Sequence, residues 1–343
     1  MATALDRLTY AVRQTARVAW YAGHYAAGRR LLKPMPKPDF AVGPTPSRAE
    51  LTADLRALFE REWRDIAAGL FAAPRTLSID LGEFLRRSAL YFRDLPKVDE
   101  RRHGRINDES NLDDANEHLP RYYRQNFHFQ SGGWLTDESA AIYDTQVEVL
   151  FTGAADAMRR RVLKPIAEWM AGRNQRDLRG LDVGCGTGRL LAFLHDAWPG
   201  MRLSGIDLSA PYLEEARRLI GRTARVKLME AAGEALPFDD ASLDLVVSSF
   251  LMHELPKKIR ADVIAEMARV VKPGGLVVLV DSIQKGDHPP WDGLLDLFPH
   301  YFHEPYYADY VNGSLEAWGT AVGLVPFATE RAFLSKVIAF TRA

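Results

Sequence analysis

The chain has very little cysteine, since Cys185 is the one such residue among 343. A single cysteine excludes an intramolecular disulfide, a CxxC redox pair and a zinc site made of several cysteines. Long apolar runs are also lacking, because none reaches the roughly 18 residues that a membrane-spanning helix requires. A secretory leader with an apolar stretch and a cleavage site is not recognisable. We therefore expect a cytoplasmic protein.

An excess of either charge is absent as well. Lysine and arginine number 44 and aspartate and glutamate number 45, which gives a formal net charge of -1. A protein that coats nucleic acid carries a strong basic excess, so nucleic acid is not an expected partner. The hydrophobic share of 47% and the charged share of 26% are those of a globular protein with a large core. The length allows two domains, or one large α/β domain with an extension.

The first part of the chain, residues 1–125, is predicted to be a mainly helical extension. Residues 1–37 contain seven arginines and lysines against one aspartate, with aromatic side chains between them, and predict a basic helix. Such a helix either contacts an anionic membrane surface or a partner, or packs on the protein's own core with its basic face in water. We favour packing on the core, because long charged side chains usually only cover a solvated surface. The expected elements that follow are a proline-rich linker at 34–46, helices at 47–71 and 80–92, and a polar loop at 97–117.

From residue 178 onward, short apolar segments alternate with helical patterns. Segments typical of strands lie at 178–183, 202–206, 225–229, 243–248, 276–280 and 332–340. Helical patterns lie between them at 189–197, 211–220 and 257–271, and two more precede them at 137–151 and 154–171. Strand–helix–strand units at this spacing predict a parallel sheet that helices cover on both faces.

A glycine-rich turn follows the first of these strands. Residues 181–188 read LDVGCGTG, so the strand ends in three alternating glycines and a helix begins directly after them. Glycines at this spacing allow a sharp turn and let a ligand approach bare main chain. A GxGxxG dinucleotide fingerprint would need glycine where Arg189 stands, and the GK[ST] of a phosphate-binding loop is missing. The pattern is therefore GxGxG.

A carboxylate, Asp207, stands at the end of the second predicted strand. An acidic side chain in this position is well placed to accept hydrogen bonds from both hydroxyls of a ribose. Further elements follow in order along the chain: EALPF at 234–238, LDLVV at 243–247 and VKPGG at 271–275. Together with the glycine turn, these elements resemble the class I S-adenosylmethionine-dependent methyltransferases.

The resemblance implies a fold and a cofactor. The expected fold is a Rossmann-like, doubly wound α/β sheet of seven strands, six parallel and one antiparallel, that ends in an antiparallel hairpin. The resemblance covers residues 126–343, which would form the methyltransferase core, and it does not cover the helical extension. The implied cofactor is S-adenosyl-L-methionine, with S-adenosyl-L-homocysteine as its product.

The resemblance also implies roles for individual residues. The glycine loop would lie against the methionine end and the sugar of the cofactor, Asp182 would meet the amino group, and Asp207 would bind the ribose. Leu208 would lie on the adenine, and the main chain at Gly233 would bind its edge. The family usually has aspartate just before that position, but this chain has alanine, so either Glu234 or water would replace the aspartate. The expected cofactor-binding residues are Asp182, Gly184, Cys185, Gly186, Gly188, Asp207, Leu208, Gly233, Glu234 and Ser249.

Three side chains near the expected cofactor have two interpretations each. Cys185 is interpreted as a small residue that fits inside the glycine loop, and not as a nucleophile. His253, after the fourth strand, is the candidate catalytic base, since histidine titrates near neutral pH, and otherwise it packs or caps a helix. Tyr143 is the second candidate catalytic residue, because it resembles the tyrosine that closes over the cofactor in relatives, and otherwise it is a core aromatic.

An aromatic segment after the fifth strand is the candidate wall of an acceptor pocket. Residues 126–134, with two glycines as a hinge, would form the opposite wall or a lid, or else a packed connector. His300, His303 and Glu304 match no recognised metal-binding spacing, so no metal is expected. The expected acceptor-binding residues are Trp134, Phe250, His300, Tyr301, His303 and Tyr307.

The sequence therefore predicts transfer of a methyl group from S-adenosylmethionine to a small, apolar or aromatic acceptor such as a quinone, polyketide-like, terpenoid or lipid compound. Because the donor is already activated, the enzyme would chiefly position the reactants and remove a proton. Two alternatives stay open: a methyltransferase for protein or RNA that docks through the extension, and a non-catalytic domain that keeps the fold for binding. The balanced charge weighs against the first alternative, and the three intact glycines weigh against the second. The sequence leaves the oligomeric state open.

Overall fold

The computed structural model describes residues 3–73, 81–107 and 116–343. A seven-stranded sheet lies at its centre, in the order β3-β2-β1-β4-β5-β7-β6. The strands are β1 Arg179–Val183, β2 Arg202–Asp207, β3 Val226–Glu230, β4 Leu243–Ser249, β5 Val271–Ser282, β6 Leu324–Ala332 and β7 Ser335–Arg342. Strands β1 to β5 are mutually parallel, and β7 is antiparallel to both of its neighbours, β5 and β6. The predicted doubly wound α/β fold, with six parallel strands and one antiparallel strand, is confirmed.

Helices cover the sheet and form most of the extension. In chain order they are α1 Ala4–Leu31, α2 Arg48–Ala67, α3 Leu81–Gly104, α4 Asp137–Leu150, α5 Ala155–Arg160, α6 Leu163–Trp169, α7 Arg189–Ala197, α8 Ala210–Ile220, α9 Lys257–Val270, α10 Asp292–Tyr301, α11 Tyr307–Val311 and α12 Leu315–Ala321. Strand β4 and residues 275–281 of β5 are almost fully buried, which agrees with their valine-rich sequences. The carboxyl ends of β1 to β5 lie along one edge of the sheet, where an open α/β sheet binds its ligands.

Buried ion pairs hold the extension on the core. Arg17, on the inner side of α1, donates to Glu148 at 2.6 Å and to Asp156 at 2.7 Å. On the outer side of α1, Leu5 and Leu8 are 70% and 61% exposed, so the helix presents apolar residues to water there. The favoured interpretation of residues 1–37, a helix packed on the protein's own core, agrees with these contacts.

The third helix is longer than expected. Residues 80–92 were predicted as a helix and 97–117 as a polar loop, but α3 continues through Pro96 to Gly104. Its polar side chains are used in tertiary contacts: Asp99 accepts from the main-chain N–H of Lys33 at 3.1 Å, and Arg101 donates to the carbonyl of Phe129 at 2.9 Å. Such distant partners leave no local signal in the sequence. Residues 108–115 of the predicted loop lie outside the described residues.

Two other boundaries differ from the prediction. The segment 332–340 was expected to be one strand, but it spans the turn between β6 and β7, where Phe333 has a φ of 60°. The predicted helix 154–171 is divided into α5 and α6. Pro165 contributes to this break, because it lacks the N–H that would bond to the carbonyl of Arg161 in a continuous helix.

No helix within the described ranges is long and apolar enough to cross a membrane.

The ion pair between Glu62 of α2 and Arg160 of α5 provides a test of how the extension is held on the core. Glu62 is fully buried and accepts hydrogen bonds from Arg160, Tyr10 and Gln14. Replacing it by alanine leaves the Arg160 charge buried without its partner, so Glu62→Ala should lower the free energy of unfolding by about 3–5 kcal/mol. Urea denaturation measures this change.

Glu60→Ala is the matched control for this prediction. Glu60 lies on the same helix, 3.5 Å from Arg7, and both side chains are more than half exposed. Exposed ion pairs contribute about 0–1 kcal/mol, so this change should leave the unfolding midpoint nearly unmoved. Equal losses of stability in the two variants would contradict the proposed anchoring.

Candidate active site

The glycine loop forms the first part of the site. It connects β1 to α7, and its three glycines have φ angles of 68°, 51° and 78°. A Cβ at Gly184 would lie 2.9 Å from Leu251, so packing as well as backbone conformation requires glycine there. A Cβ at Gly186 would meet no described atom nearer than a Tyr212 ring carbon at 3.9 Å. The main chain at Gly186 is therefore bare and open to a ligand.

Asp182, in β1 just before the loop, is a buried carboxylate without a partner. Its side chain is fully buried, and neither oxygen accepts a hydrogen bond from any described residue. Burial, with the nearby charge of Asp207, raises the pKa of Asp182 well above its usual range. Buried polar groups are nearly always hydrogen-bonded, so this carboxylate calls for a donor from outside the chain.

Asp207 ends β2 next to the same loop, and its carboxylate is well supplied with donors. It accepts from the main-chain N–H of Gly186 at 2.9 Å and of Ser209 at 2.8 Å, and from the hydroxyl of Tyr123 at 3.3 Å. Burial raises the pKa of Asp207 and these hydrogen bonds oppose the rise. A carboxylate has about four acceptor positions, so two sugar hydroxyls would have to compete with Tyr123 for it.

The other expected cofactor residues lie along the same edge. Leu208 follows Asp207, and Ser249 ends β4; both are half-buried. Glu234, beyond β3, accepts a hydrogen bond from the Tyr122 hydroxyl at 2.7 Å. The Glu234 side chain is thus already hydrogen-bonded. It stands two positions after Ala232, which replaces the aspartate that the family resemblance implies. Cys185 is a buried thiol whose pKa is raised well above its usual range by burial, which suits a packing residue and not a nucleophile.

A strap, residues 120–134, lies across this edge of the sheet. Besides the two tyrosine contacts, Gln125 donates to the Tyr306 hydroxyl at 2.9 Å, and the carbonyl of Trp134 accepts from the Ser209 hydroxyl at 2.5 Å. Phe127 and Trp134 stack with their ring centres 5.5 Å apart. The strap is therefore hydrogen-bonded along this edge, and its contacts fit both the wall or lid and the packed connector that the sequence left open for residues 126–134.

Comparison with known proteins agrees with this geometry. Residues 181–275 match the family model described as a methyltransferase domain. That segment holds the glycine loop, Asp182, Asp207 and the strand ends described above. Residues 181–275 belong to a class I S-adenosylmethionine-dependent methyltransferase domain. The resemblance predicted from the sequence motifs is confirmed.

The sequence of this chain matches individual methyltransferases over part of their length. The chain is 32% identical over 143 residues to a demethylmenaquinone methyltransferase from Staphylococcus aureus strain JH9, which is 41% of this chain and 56% of the relative. The chain thus spans just over half the length of the curated relatives that it matches.

Two solved structures are also similar. A methyltransferase from Methanosarcina mazei has a TM-score of 0.41 and 20% identity, over 50% of this chain and 96% of that one. A methyltransferase from Aquifex aeolicus has a TM-score of 0.40 and 21% identity, over 54% and 89% respectively.

His253 follows β4 of the methyltransferase domain and pairs with Asp281 in β5. Its Nδ1 lies 2.6 Å from the Asp281 carboxylate, which also accepts from the main-chain N–H of Met252 at 2.8 Å. Burial lowers the pKa of His253, but the Asp281 charge and hydrogen bond outweigh burial and raise it to about 9. The imidazole is therefore mostly protonated at neutral pH.

Some of the expected acceptor-side residues come together in an aromatic group. Trp134 packs edge-on against Tyr143 at 5.2 Å and against His128 at 5.9 Å between ring centres. His128 in turn contacts Phe298, whose ring centre lies 4.8 Å from that of Tyr307. The group extends from Tyr307, whose hydroxyl lies 2.8 Å from that of Ser282 at the end of β5, to Trp134, which packs edge-on against Tyr212 after β2.

The remaining four expected acceptor residues make other contacts. His300 points at the linker, with Nε2 2.9 Å from the carbonyl oxygen of Pro36, and Tyr301 contacts the His300 ring. His303 lies between Asn107 and Gln125, 3.2 Å and 2.9 Å away. Phe250 packs on Phe151 and under the Arg159 guanidinium, away from the aromatic group. The His303 ring also lies 6.3 Å from that of Phe127, which stacks on Trp134, so His303 adjoins the aromatic group. Among the described residues, no ring contact joins Phe250, His300 or Tyr301 to that group.

Several candidate residues carry no signal in the sequence. Tyr122 and Tyr123 stand in an aromatic segment, but their carboxylate partners lie 112 and 84 positions away. Asp281 alone had a usable signal, its place near the carboxyl end of a parallel strand. Among the described residues, no group of three or more histidine, cysteine, aspartate or glutamate side chains is arranged to hold a metal ion.

The contact between Tyr123 and Asp207 predicts a competition that can be measured. Tyr123→Phe removes the hydroxyl that occupies Asp207 while it keeps the ring. We expect S-adenosylhomocysteine to bind more tightly to this variant, by roughly 0.5–1.5 kcal/mol or about 2- to 12-fold, the usual contribution of one hydrogen bond. Isothermal titration calorimetry gives the affinity.

Tyr122→Phe serves as the comparison for Tyr123→Phe. It removes a hydroxyl of the same strap from Glu234 and leaves Asp207 untouched. A weaker affinity in the Tyr123 variant would mean that its hydroxyl assists the ligand and does not compete with it.

Proposed function

We propose that the protein transfers a methyl group from S-adenosylmethionine to a small acceptor with an apolar or aromatic body. The observation that carries the proposal is the buried, unpartnered carboxylate of Asp182 beside the bare main chain of Gly186. A cationic amino group is the kind of donor that such a carboxylate lacks. The match of residues 181–275 to a methyltransferase domain supports the same cofactor.

The residues at the sheet edge fit this cofactor. Asp182 would hold the amino group, the glycine loop would lie against the methionine portion, and Asp207 would take the ribose in place of Tyr123. When bound, the cofactor supplies a methyl group on a sulfonium that is already activated for displacement. The chain's own residues then orient the acceptor, exclude water through the strap and accept a proton.

The acceptor class rests on the aromatic group around Trp134 and Tyr307. Flat aromatic surfaces suit a planar or apolar molecule, with a few polar groups to orient it. The relative from Staphylococcus aureus is named as a demethylmenaquinone methyltransferase, so a naphthoquinone-type acceptor is the first compound to assay. The extension is fastened to the core by buried ion pairs, which supports a structural role for it and not a role as a separate docking module for protein or RNA.

Cellular placement follows as part of the same proposal. We propose a cytoplasmic enzyme whose α1 approaches an anionic membrane surface with its outer side. Leu5, Leu8 and Val12 are all more than half exposed on that side, and Arg13 is exposed on the same helix. Apolar residues flanked by arginine are the combination that binds at a lipid interface. An apolar acceptor dissolved in the membrane would then lie close to the enzyme.

Titration with S-adenosylhomocysteine tests the cofactor part of the proposal. Because burial keeps the pKa of Asp182 high, binding of a cationic amino group should release a proton. Calorimetry in buffers of different ionisation enthalpy should detect this release in the wild type and a smaller one in Asp182→Asn. Asp207→Ala should weaken binding at least tenfold by removing the ribose contacts. Equal affinity in wild type and both variants would defeat the proposal.

The pH dependence of methyl transfer tests His253 as the base. Its raised pKa, about 9, leaves only a minor neutral fraction at pH 7. The rate should therefore rise about tenfold per pH unit from pH 7 and level off near pH 9. His253→Gln should abolish this rise, since glutamine does not titrate. A rise that persists in the variant would assign the proton acceptor to another group.

A further inference from the structure

Glu304 is a second buried carboxylate without a hydrogen-bonding partner. Its side chain is completely buried, and neither oxygen accepts a hydrogen bond from any described residue. Nε2 of His128 lies 3.2 Å from Oε1. Glu304 lies between α10 and α11, in the segment that supplies the aromatic side chains beyond β5.

The surroundings of Glu304 place it on the acceptor side of the site. It interacts electrostatically with His253 and Glu254, which follow β4, and with Asp281, which lies in β5. Burial raises the pKa values of Tyr143 and Tyr307, two members of the aromatic group, and the charge of Glu304 adds to this rise. Glu254 in turn interacts with Asp207. His128, 3.2 Å from Glu304, has its ring centre 5.9 Å from that of Trp134 and 6.1 Å from that of Phe298, which places Glu304 beside the aromatic group.

The side chains around Glu304 donate no hydrogen bond to its oxygens. Burial, with the charge of Asp281, raises the pKa of Glu304 to about 8, and burial lowers the pKa of His128 to about 3. His128 is therefore neutral and brings no charge to the carboxylate. His253 is already paired with Asp281 through Nδ1. Glu304 is thus mostly protonated at neutral pH, and the cationic partner that its ionised form would require is not provided by the described residues nearest to it.

We propose that Glu304 binds the acceptor, and that the acceptor is an aromatic molecule carrying a hydrogen-bond donor, either a hydroxyl or an amine. This inference rests on the proposed function and makes the acceptor class narrower. Trp134, Phe298 and Tyr307 contact the flat body of the molecule, and Glu304 receives its donor group. A site built around a buried acceptor rejects analogues that lack the donor, because the carboxylate then stays unpaired.

Three naphthalene probes of nearly equal size test this inference. 1-Naphthol carries a hydroxyl, 1-naphthylmethylamine carries an ammonium group, and 1-methylnaphthalene carries no donor. Each is titrated into the full chain saturated with S-adenosylhomocysteine. We expect at least one donor probe to bind tenfold or more tightly than 1-methylnaphthalene, and the better of the two identifies the donor type.

Two substitutions connect the preference to Glu304. Glu304→Gln keeps the shape and removes the charge, so it should abolish a preference for the ammonium probe. Glu304→Leu removes the acceptor oxygens, so it should abolish a preference for the hydroxyl probe as well. Glu215→Gln is the control, because Glu215 is also buried but is held by Arg87 and Arg218, and it should leave all three affinities unchanged.

The outcomes separate this inference from the proposed function. If S-adenosylhomocysteine fails to bind the wild type, the proposed function fails first. If it binds but the three probes have equal affinity, or the preference survives in both Glu304 variants, the acceptor role of Glu304 is overturned. Retained binding of S-adenosylhomocysteine in the variants shows that they are folded.

Discussion

The site depends on carboxylates that the fold buries and leaves short of donors. Asp182 at β1 and Glu304 beyond β5 both lie away from water, and no described residue hydrogen-bonds to either. Burial of an unpaired carboxylate is costly, and a protein keeps one where a ligand provides the missing donors. The parallel sheet explains their position, since the carboxyl ends of its strands converge at one edge. The strap then excludes water, which strengthens every interaction beneath it.

The extension reaches this edge through a chain of ion pairs. Arg17 of α1 binds Asp156, and Asp156 also binds Arg189, the first residue of α7 after the glycine loop. A second connection runs from Arg101 of α3 to the carbonyl of Phe129 in the strap. Buried pairs of this kind fix geometry more than they add stability. Both the floor and the cover of the site are therefore positioned from the extension.

The features that the sequence predicted correctly are those encoded by neighbouring residues. The glycine spacing and the alternation of strands and helices are local patterns, and they indicated the sheet, the loop and the place of Asp207. The wrong boundaries have non-local causes, such as the continuation of α3 past Pro96, where Asp99 and Arg101 bind partners in the linker and the strap. The hydrogen bond between Tyr123 and Asp207 joins residues 84 positions apart, so no local sequence pattern predicts it. His300 was expected near the acceptor from its aromatic neighbours, but the linker binds it instead.

Exchange of the cofactor requires part of the strap to move, and the contacts indicate which part. Residues 126–134 are fixed by buried bonds: Asn126 is fully buried, Phe129 is bound by Arg101, and Trp134 is bound by Ser209. The residues before them are held to the core by hydroxyl bonds from Tyr122 and Tyr123 and by Gln125. The hydrogen bond from Tyr123 to Asp207 contributes roughly 0.5–1.5 kcal/mol, which a ribose diol bound to the same carboxylate would replace. Under the proposed function the ribose therefore displaces the Tyr123 hydroxyl from Asp207 at little net cost, while the aromatic wall behind it keeps its shape for the acceptor.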